Sequence, residues 1–143
     1  MAIIYNPNKK IFTLHTAHTT YQMQVDTLGY LLHLYYGEKT NSSMDYVLTY
    51  ADRGFSGNPY AAGMDRTYSL DALPQEYPSL GTGDYRNIAL NIKNEKGVES
   101  ADLLFKSYEI RSGKYQLQGL PAVWADENEA QTLEIVLADE NAQ

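Results

Sequence analysis

The feature that most constrains this chain is a two-residue alternation of apolar and polar side chains towards both of its ends, with no long amphipathic helical repeat anywhere between them. Ile11-Phe12-Thr13-Leu14-His15-Thr16 and Thr20-Tyr21-Gln22-Met23-Gln24-Val25-Asp26 alternate in this way and predict paired antiparallel strands. Leu31-Leu32-His33-Leu34-Tyr35-Tyr36-Gly37 is almost continuously apolar and glycine-flanked, which predicts a more buried strand too short for a helix. Ile88-Ala89-Leu90-Asn91-Ile92, a turn at Asn94-Glu95-Lys96-Gly97, and a strand over 100–110 read as a hairpin. Gln131-Thr132-Leu133-Glu134-Ile135-Val136-Leu137 is a final alternating strand. Repeated short strands separated by glycine-rich turns predict an all-β fold, an antiparallel β-sandwich whose two sheets bury their inner faces together.

Between these strands the texture changes. Gly54, Ser56, Gly57, Asn58, Pro59 and Gly63 crowd turn-forming residues into one interval, and Pro74, Pro78 and Gly81 extend it. About thirty residues therefore carry little regular structure, which in a compact domain often marks function.

With 143 residues the chain falls in the usual range of one domain, 1–143. Hydrophobic residues at 43% and charged residues at 20% suffice for a packed core rather than disorder. A net charge of -7 argues against nucleic acid, because phosphate binding draws on Lys and Arg, and against anionic membranes. No apolar run approaches the roughly 18 residues of a membrane span. Without cysteine there are neither disulfides nor thiolate metal sites, which fits a reducing compartment. The opening Met-Ala-Ile-Ile-Tyr-Asn-Pro lacks the basic and long apolar regions of a signal peptide, so the expected location is cytoplasmic. The last residues, Ala138-Asp139-Glu140-Asn141-Ala142-Gln143, show no closing element, as expected of a piece of a longer chain.

Few side chains suggest chemistry unaided. His15 and His18 are three apart, a helical ligand spacing that strand alternation would send to opposite faces. His33 lies in an apolar run, as a satisfied core histidine does. Asp52 with Asp84 could be nominated as a glycosidase pair, as could many pairs in a chain with 18 acidic residues. Gly81-Thr82-Gly83 lacks the lysine and following helix of a phosphate loop. No metal or other cofactor is expected. Thirteen tyrosines and Trp124 suit half-buried strand positions, although Trp124, Tyr108 and Tyr115 could also form a sugar-stacking platform.

Longer strings are more specific. Tyr50-Ala51-Asp52-Arg53-Gly54-Phe55-Ser56-Gly57-Asn58-Pro59, Asp65-Arg66-Thr67-Tyr68-Ser69-Leu70-Asp71, Leu73-Pro74-Gln75-Glu76-Tyr77-Pro78, Gly83-Asp84-Tyr85-Arg86, Gly119-Leu120-Pro121-Ala122 and the segment 129–137 follow one another in order. Together they resemble the amino-terminal region of glycoside hydrolase family 36 α-galactosidases of bacterial type.

The resemblance implies a parent enzyme that removes terminal α-galactose from melibiose and raffinose-type sugars with retention of configuration. Such hydrolysis needs two carboxyl groups about 5 Å apart. The family carries its two essential aspartates in a following (β/α) barrel, so no catalytic residue is expected here and the isolated chain is expected to be inactive. The family's amino-terminal domain is a longer β super-sandwich, of which this chain would be the first part. The resemblance further implies a homotetramer in which a loop of this domain reaches a neighbouring subunit's active site, and it maps Asp52, Phe55 and Arg66 onto that loop as substrate-binding residues. A carboxylate, an aromatic face and a guanidinium suit a sugar. Simple surface ion pairs, Asp52 with Arg53 or Asp65 with Arg66, are the plainer reading of the same residues. A free-standing carbohydrate-binding module and a purely structural oligomerisation domain stand as alternatives to the accessory role.

Overall fold

The computed structural model describes residues 2–54, 57–116, 118–119, 125–126 and 129–139. Its strands are β1 (Ala2–Asn6), β2 (Ile11–His15), β3 (Thr19–Val25), β4 (Leu31–Glu38), β5 (Leu104–Ser112) and β6 (Gln131–Ala138). The first four form an antiparallel meander in chain order, and β5 pairs with β6 as a second antiparallel sheet. The expected all-β, antiparallel architecture forms, and helical structure among the described residues is confined to single 3-10 turns at Asp45–Val47 and Tyr60–Ala62.

Alternation explains how the sheets meet. The pairings Tyr5↔Phe12 and Phe12↔Met23 set three side chains in a row on one face. Phe12, fully buried, joins Met23, Val25 and Leu31, and this face packs on Phe105, Leu133, Ile135 and Leu137 of the second sheet. The Phe12 ring lies 4.5 Å from that of Tyr5 and 5.0 Å edge-on to that of Tyr108, both favourable aromatic arrangements. The Ile3 N–H donates to Gln131 Oε1 at 2.8 Å and ties the edge strand β1 to β6.

The opposite face of the meander is covered by chain without strands. Leu32, adjacent to Leu31 on β4, must point the other way, and it is buried with Tyr30, Tyr68, Leu70 and Leu73. Burial on both faces is what the unbroken apolar run of β4 predicts. The free edge of β4 is also protected, because the His33 N–H donates to Pro74 O at 2.6 Å and the Glu76 N–H to Leu31 O at 2.9 Å. Buried Gln22 straps residues 42–44 across the sheet, its Nε2 donating to Ser42 O and its Oε1 accepting from the Met44 N–H, both at 3.0 Å.

Three expectations are corrected. Residues 88–92 form no strand; Leu90 makes one isolated parallel bridge to Ser79. The turn at 94–97 does form, with the Gly97 N–H donating to Asn94 O at 2.9 Å, but no hairpin follows from it. The strand expected over 100–110 begins at Leu104 and takes β6 as its partner instead. The reason is burial: β6 offers Leu133, Ile135 and Leu137 to the Phe12 cluster, whereas Leu90 and Ile92 stay substantially exposed. In addition, β1 was not anticipated from its short, half-exposed sequence.

Candidate functional site

The long irregular segment leaves the sheet past Tyr50, whose ring lies 5.8 Å from that of Tyr68. Local capping then shapes the loop. Asp52 Oδ1 accepts the Gly54 N–H at 2.8 Å, an Asx turn in which Gly54 takes a φ of 81° that other residues seldom adopt. Arg66 closes on the same carboxylate, with Nε 3.2 Å from Oδ2 and Nη2 donating to Oδ1 at 3.4 Å. The result is a two-pronged guanidinium–carboxylate pair at the base of the loop. Asn58 Nδ2 donates to Asp65 O at 2.6 Å and clamps the interior of the loop.

Two of the three expected site residues, Asp52 and Arg66, are therefore brought into contact, while Phe55 lies outside the described residues. The partner of Asp52 is Arg66 across the loop rather than its neighbour Arg53. Asp65 spends its Oδ1 on the N–H and hydroxyl of Thr67, at 2.9 and 2.6 Å, and these hydrogen bonds hold its carboxyl below the usual range. The Arg66 and Asp52 side chains remain 67% and 47% exposed, so a solute can reach them. Beyond them Tyr60 and Met64 project into solvent.

Beneath the loop lies a floor built on Asp84 and Arg86, which the sequence offered as a motif and, for Asp84, as a nominal partner of Asp52, but not as an ion pair. Buried Asp84 accepts the backbone N–H and Nε of Arg86 on Oδ1 at 3.0 and 2.9 Å, and Arg86 Nη2 and Gln75 Nε2 on Oδ2 at 2.7 and 2.9 Å. Burial pushes this carboxyl up, but the hydrogen bonds and charge of Arg86 outweigh it and hold it below the usual carboxylate range. Arg86 Nη2 also donates to Leu70 O and Leu73 O at 2.8 and 2.6 Å. Both oxygens of Asp84 are thus occupied by Arg86 and Gln75. The pair could have been noticed from Asp84-Tyr85-Arg86, where opposite charges stand two apart.

His15 Nδ1 lies 2.9 Å from Thr20 Oγ1 at the end of β2, and His18 sits in the following turn. Half-buried His33 places Nδ1 2.9 Å from Glu76 Oε1, and the Tyr21 hydroxyl donates to Glu76 Oε2 at 2.5 Å. Among the described residues no group of three or more potential ligands is placed to hold a metal ion. Tyr108 stacks against Tyr5, Phe12 and Phe105 yet stays 39% exposed, Tyr115 is exposed, and Trp124 lies outside the described residues. No helix among the described residues is long and apolar enough to cross a membrane.

Residues 29–143 match the glycosyl hydrolase family 36 N-terminal domain. Over 143 residues the chain is 97% identical to the bifunctional α-galactosidase/sucrose kinase AgaSK of Mediterraneibacter gnavus, covering all of this chain and 15% of that protein. The solved galactosidase domain of an AgaSK α-galactosidase–sucrose kinase superposes with a TM-score of 0.94 at 97% identity, over 99% of this chain and 20% of the other. A variant of the α-galactosidase AgaA from Geobacillus stearothermophilus, solved with raffinose, superposes with a TM-score of 0.82 at 42% identity, over 91% of this chain and 18% of the other. The chain thus spans a fifth or less of the length of these proteins. It belongs to the glycoside hydrolase family 36 N-terminal domain family.

Proposed function

We propose that this chain is the accessory amino-terminal domain of an α-galactosidase acting on terminal α-galactosides such as raffinose and melibiose. It breaks no bond itself; the loop 51–66 completes the substrate site of a neighbouring subunit in a cytoplasmic homotetramer. The observation that carries this reading is the Asp52–Arg66 fork, held by its own loop yet open to solvent. An exposed ion pair adds at most about 1 kcal/mol to stability, so stability gives little reason for it. Its acceptor and donors match sugar hydroxyls, and the projecting Tyr60 and Met64 supply apolar surface for a contact between subunits. Raffinose bound to the AgaA variant supports the substrate class.

The test uses the full-length 97%-identical relative with the corresponding substitutions Asp52→Ala and Arg66→Ala. Loss of a hydrogen bond to a charged group, about 1.5–3 kcal/mol, should raise KM for raffinose on the order of tenfold or more. Unchanged KM and turnover would instead support a purely structural oligomerisation domain. The isolated chain should release no nitrophenol from an aryl α-galactoside, and measurable galactoside affinity in it would favour a free-standing binding module.

A further inference from the structure

We infer that the stacked glycines Gly57 and Gly83 are positioning residues, which seat the loop carrying the Asp52–Arg66 fork on a fixed floor before any partner arrives. This inference rests on the proposed role of that loop in substrate binding and adds what sets its reach.

The backbones touch here without side chains between them. A Cβ added at Gly57 would lie 3.0 Å from Gly83 Cα, and one added at Gly83 would lie 2.6 Å from Gly57 O. The second distance is shorter than real Cβ contacts allow, and the obstacle is backbone, which cannot rotate away. Gly83 also has a φ of +88°, so two independent constraints call for glycine at this position. By contrast, a Cβ at Gly54 or Gly63 in the same loop, or at Gly113 elsewhere, would meet nothing within 4 Å among the described residues, although all three have a positive φ.

The floor under this contact does not yield easily. Asp84, the next residue after Gly83, is locked by Arg86 and Gln75, and Arg86 is anchored in turn to the carbonyls of Leu70 and Leu73. Leu70 and Leu73 belong to the buried cluster on the outer face of the meander. A chain of direct contacts therefore runs from the core through Asp84 to Gly83 and Gly57. From Gly57 the loop's own hydrogen bonds extend the same fixed geometry to Asn58, Asp65 and the fork. A site held in advance loses less freedom on binding, and displacement by about 1 Å can cost much of its contribution.

The experiment compares Gly57→Ala, Gly83→Ala, Gly113→Ala, Asp52→Ala and Arg66→Ala, introduced at the corresponding positions of the full-length relative, by KM and kcat on raffinose together with melting temperature. Gly57→Ala should raise KM about fivefold or more with kcat changed less than about twofold, and Gly83→Ala should raise it further. Gly113→Ala has nearly the same strained φ, +90°, without the contact, so it should lower the melting temperature but leave KM alone. Wild-type KM in both Gly57→Ala and Gly83→Ala, with KM raised in Asp52→Ala and Arg66→Ala, would overturn the positioning role and leave the loop's substrate role standing. Wild-type KM in Asp52→Ala and Arg66→Ala would overturn both. Should Gly83→Ala not fold, the milder Gly57→Ala, which carries no positive φ, decides the question.

Discussion

At Asp84 a carboxylate with a side chain only 1% exposed is stabilised by donors on every side, while its partner Arg86 keeps 46% of its side chain in solvent. The asymmetry makes Arg86 the more costly member to remove, because its loss would strand a buried carboxylate, whereas Asp84→Asn keeps the shape and leaves a guanidinium that water can still solvate. We expect Asp84→Asn to destabilise the chain by about 2 kcal/mol at pH 7, below the full cost of breaking a fully buried pair because Arg86 is hydrated. The folded carboxyl is held below its usual range, so its contribution is present above about pH 4 and is lost as pH falls through the folded value. The gap between wild type and Asp84→Asn in denaturant melts should therefore narrow below about pH 4; a gap independent of pH would mean that the charge does not matter. In the sequence Asp84 stands within Gly83-Asp84-Tyr85-Arg86 and as one of many acidic residues that could be set beside Asp52, and nothing local tells that its oxygens point inward to Arg86 and Gln75.

Among the elements, β3 shows how a strand can organise chain that has no secondary structure. Its alternation sends Met23 and Val25 to the inner face, which leaves Thr20 and Gln22 facing the opposite layer. There a Thr hydroxyl and a Gln amide replace the missing strand: Thr20 Oγ1 donates to Thr40 O and accepts the Thr40 N–H, at 3.2 and 3.0 Å, and Gln22 repeats the arrangement at Ser42 and Met44. Gln22→Leu would leave a carbonyl and an N–H without partners, at a cost of about 1–3 kcal/mol. Hydrogen exchange should quicken at the Met44 amide and spread through 40–47, while β1 and β2 keep their protection; unchanged exchange at Met44 would show that the strap holds without Gln22. Bulges matter at the same scale. The register shifts between Phe105 and Ser107, so Phe105 and Tyr108, three apart in sequence, both reach the Phe12 ring. Strict alternation would have put them on opposite faces.

Across the molecule, Tyr30 and Tyr68 join the aliphatic side chains in the core and Tyr21 lies partly buried beside it, and such hydroxyls need partners once buried. Tyr30 donates to Asp102 Oδ1 at 2.8 Å, Tyr68 to Asp26 Oδ2, and Tyr21 to Glu76 Oε2. Burial first, then these carboxylates, raise all three phenols well above their ordinary value. A raised phenol stabilises the fold below about pH 10 and withdraws that stability as pH climbs towards the folded value. In an alkaline titration we expect part of the tyrosinate absorbance to appear only together with loss of the circular dichroism of the sheets. Smooth ionisation of all thirteen near pH 10 with the sheets intact would contradict the buried network.

What the amino-acid sequence determined by itself is what depends on neighbours along the chain. The period of two placed β2, β3 and β6, the unbroken apolar run placed β4, and the glycines and prolines marked the irregular interval. The order of the motifs pointed to the family and to Asp52 and Arg66. Tertiary structure alone decided that β5 pairs with β6, where β5 begins, that β1 exists, and that Asp52 reaches Arg66 fourteen residues away rather than Arg53 beside it. Periodicity assigns each side chain a face, but it names no partner for that face. The partner is chosen by competition between distant segments for buried area and hydrogen bonds, and β6 prevailed over 88–92 because its leucines and isoleucine had the Phe12 cluster to cover.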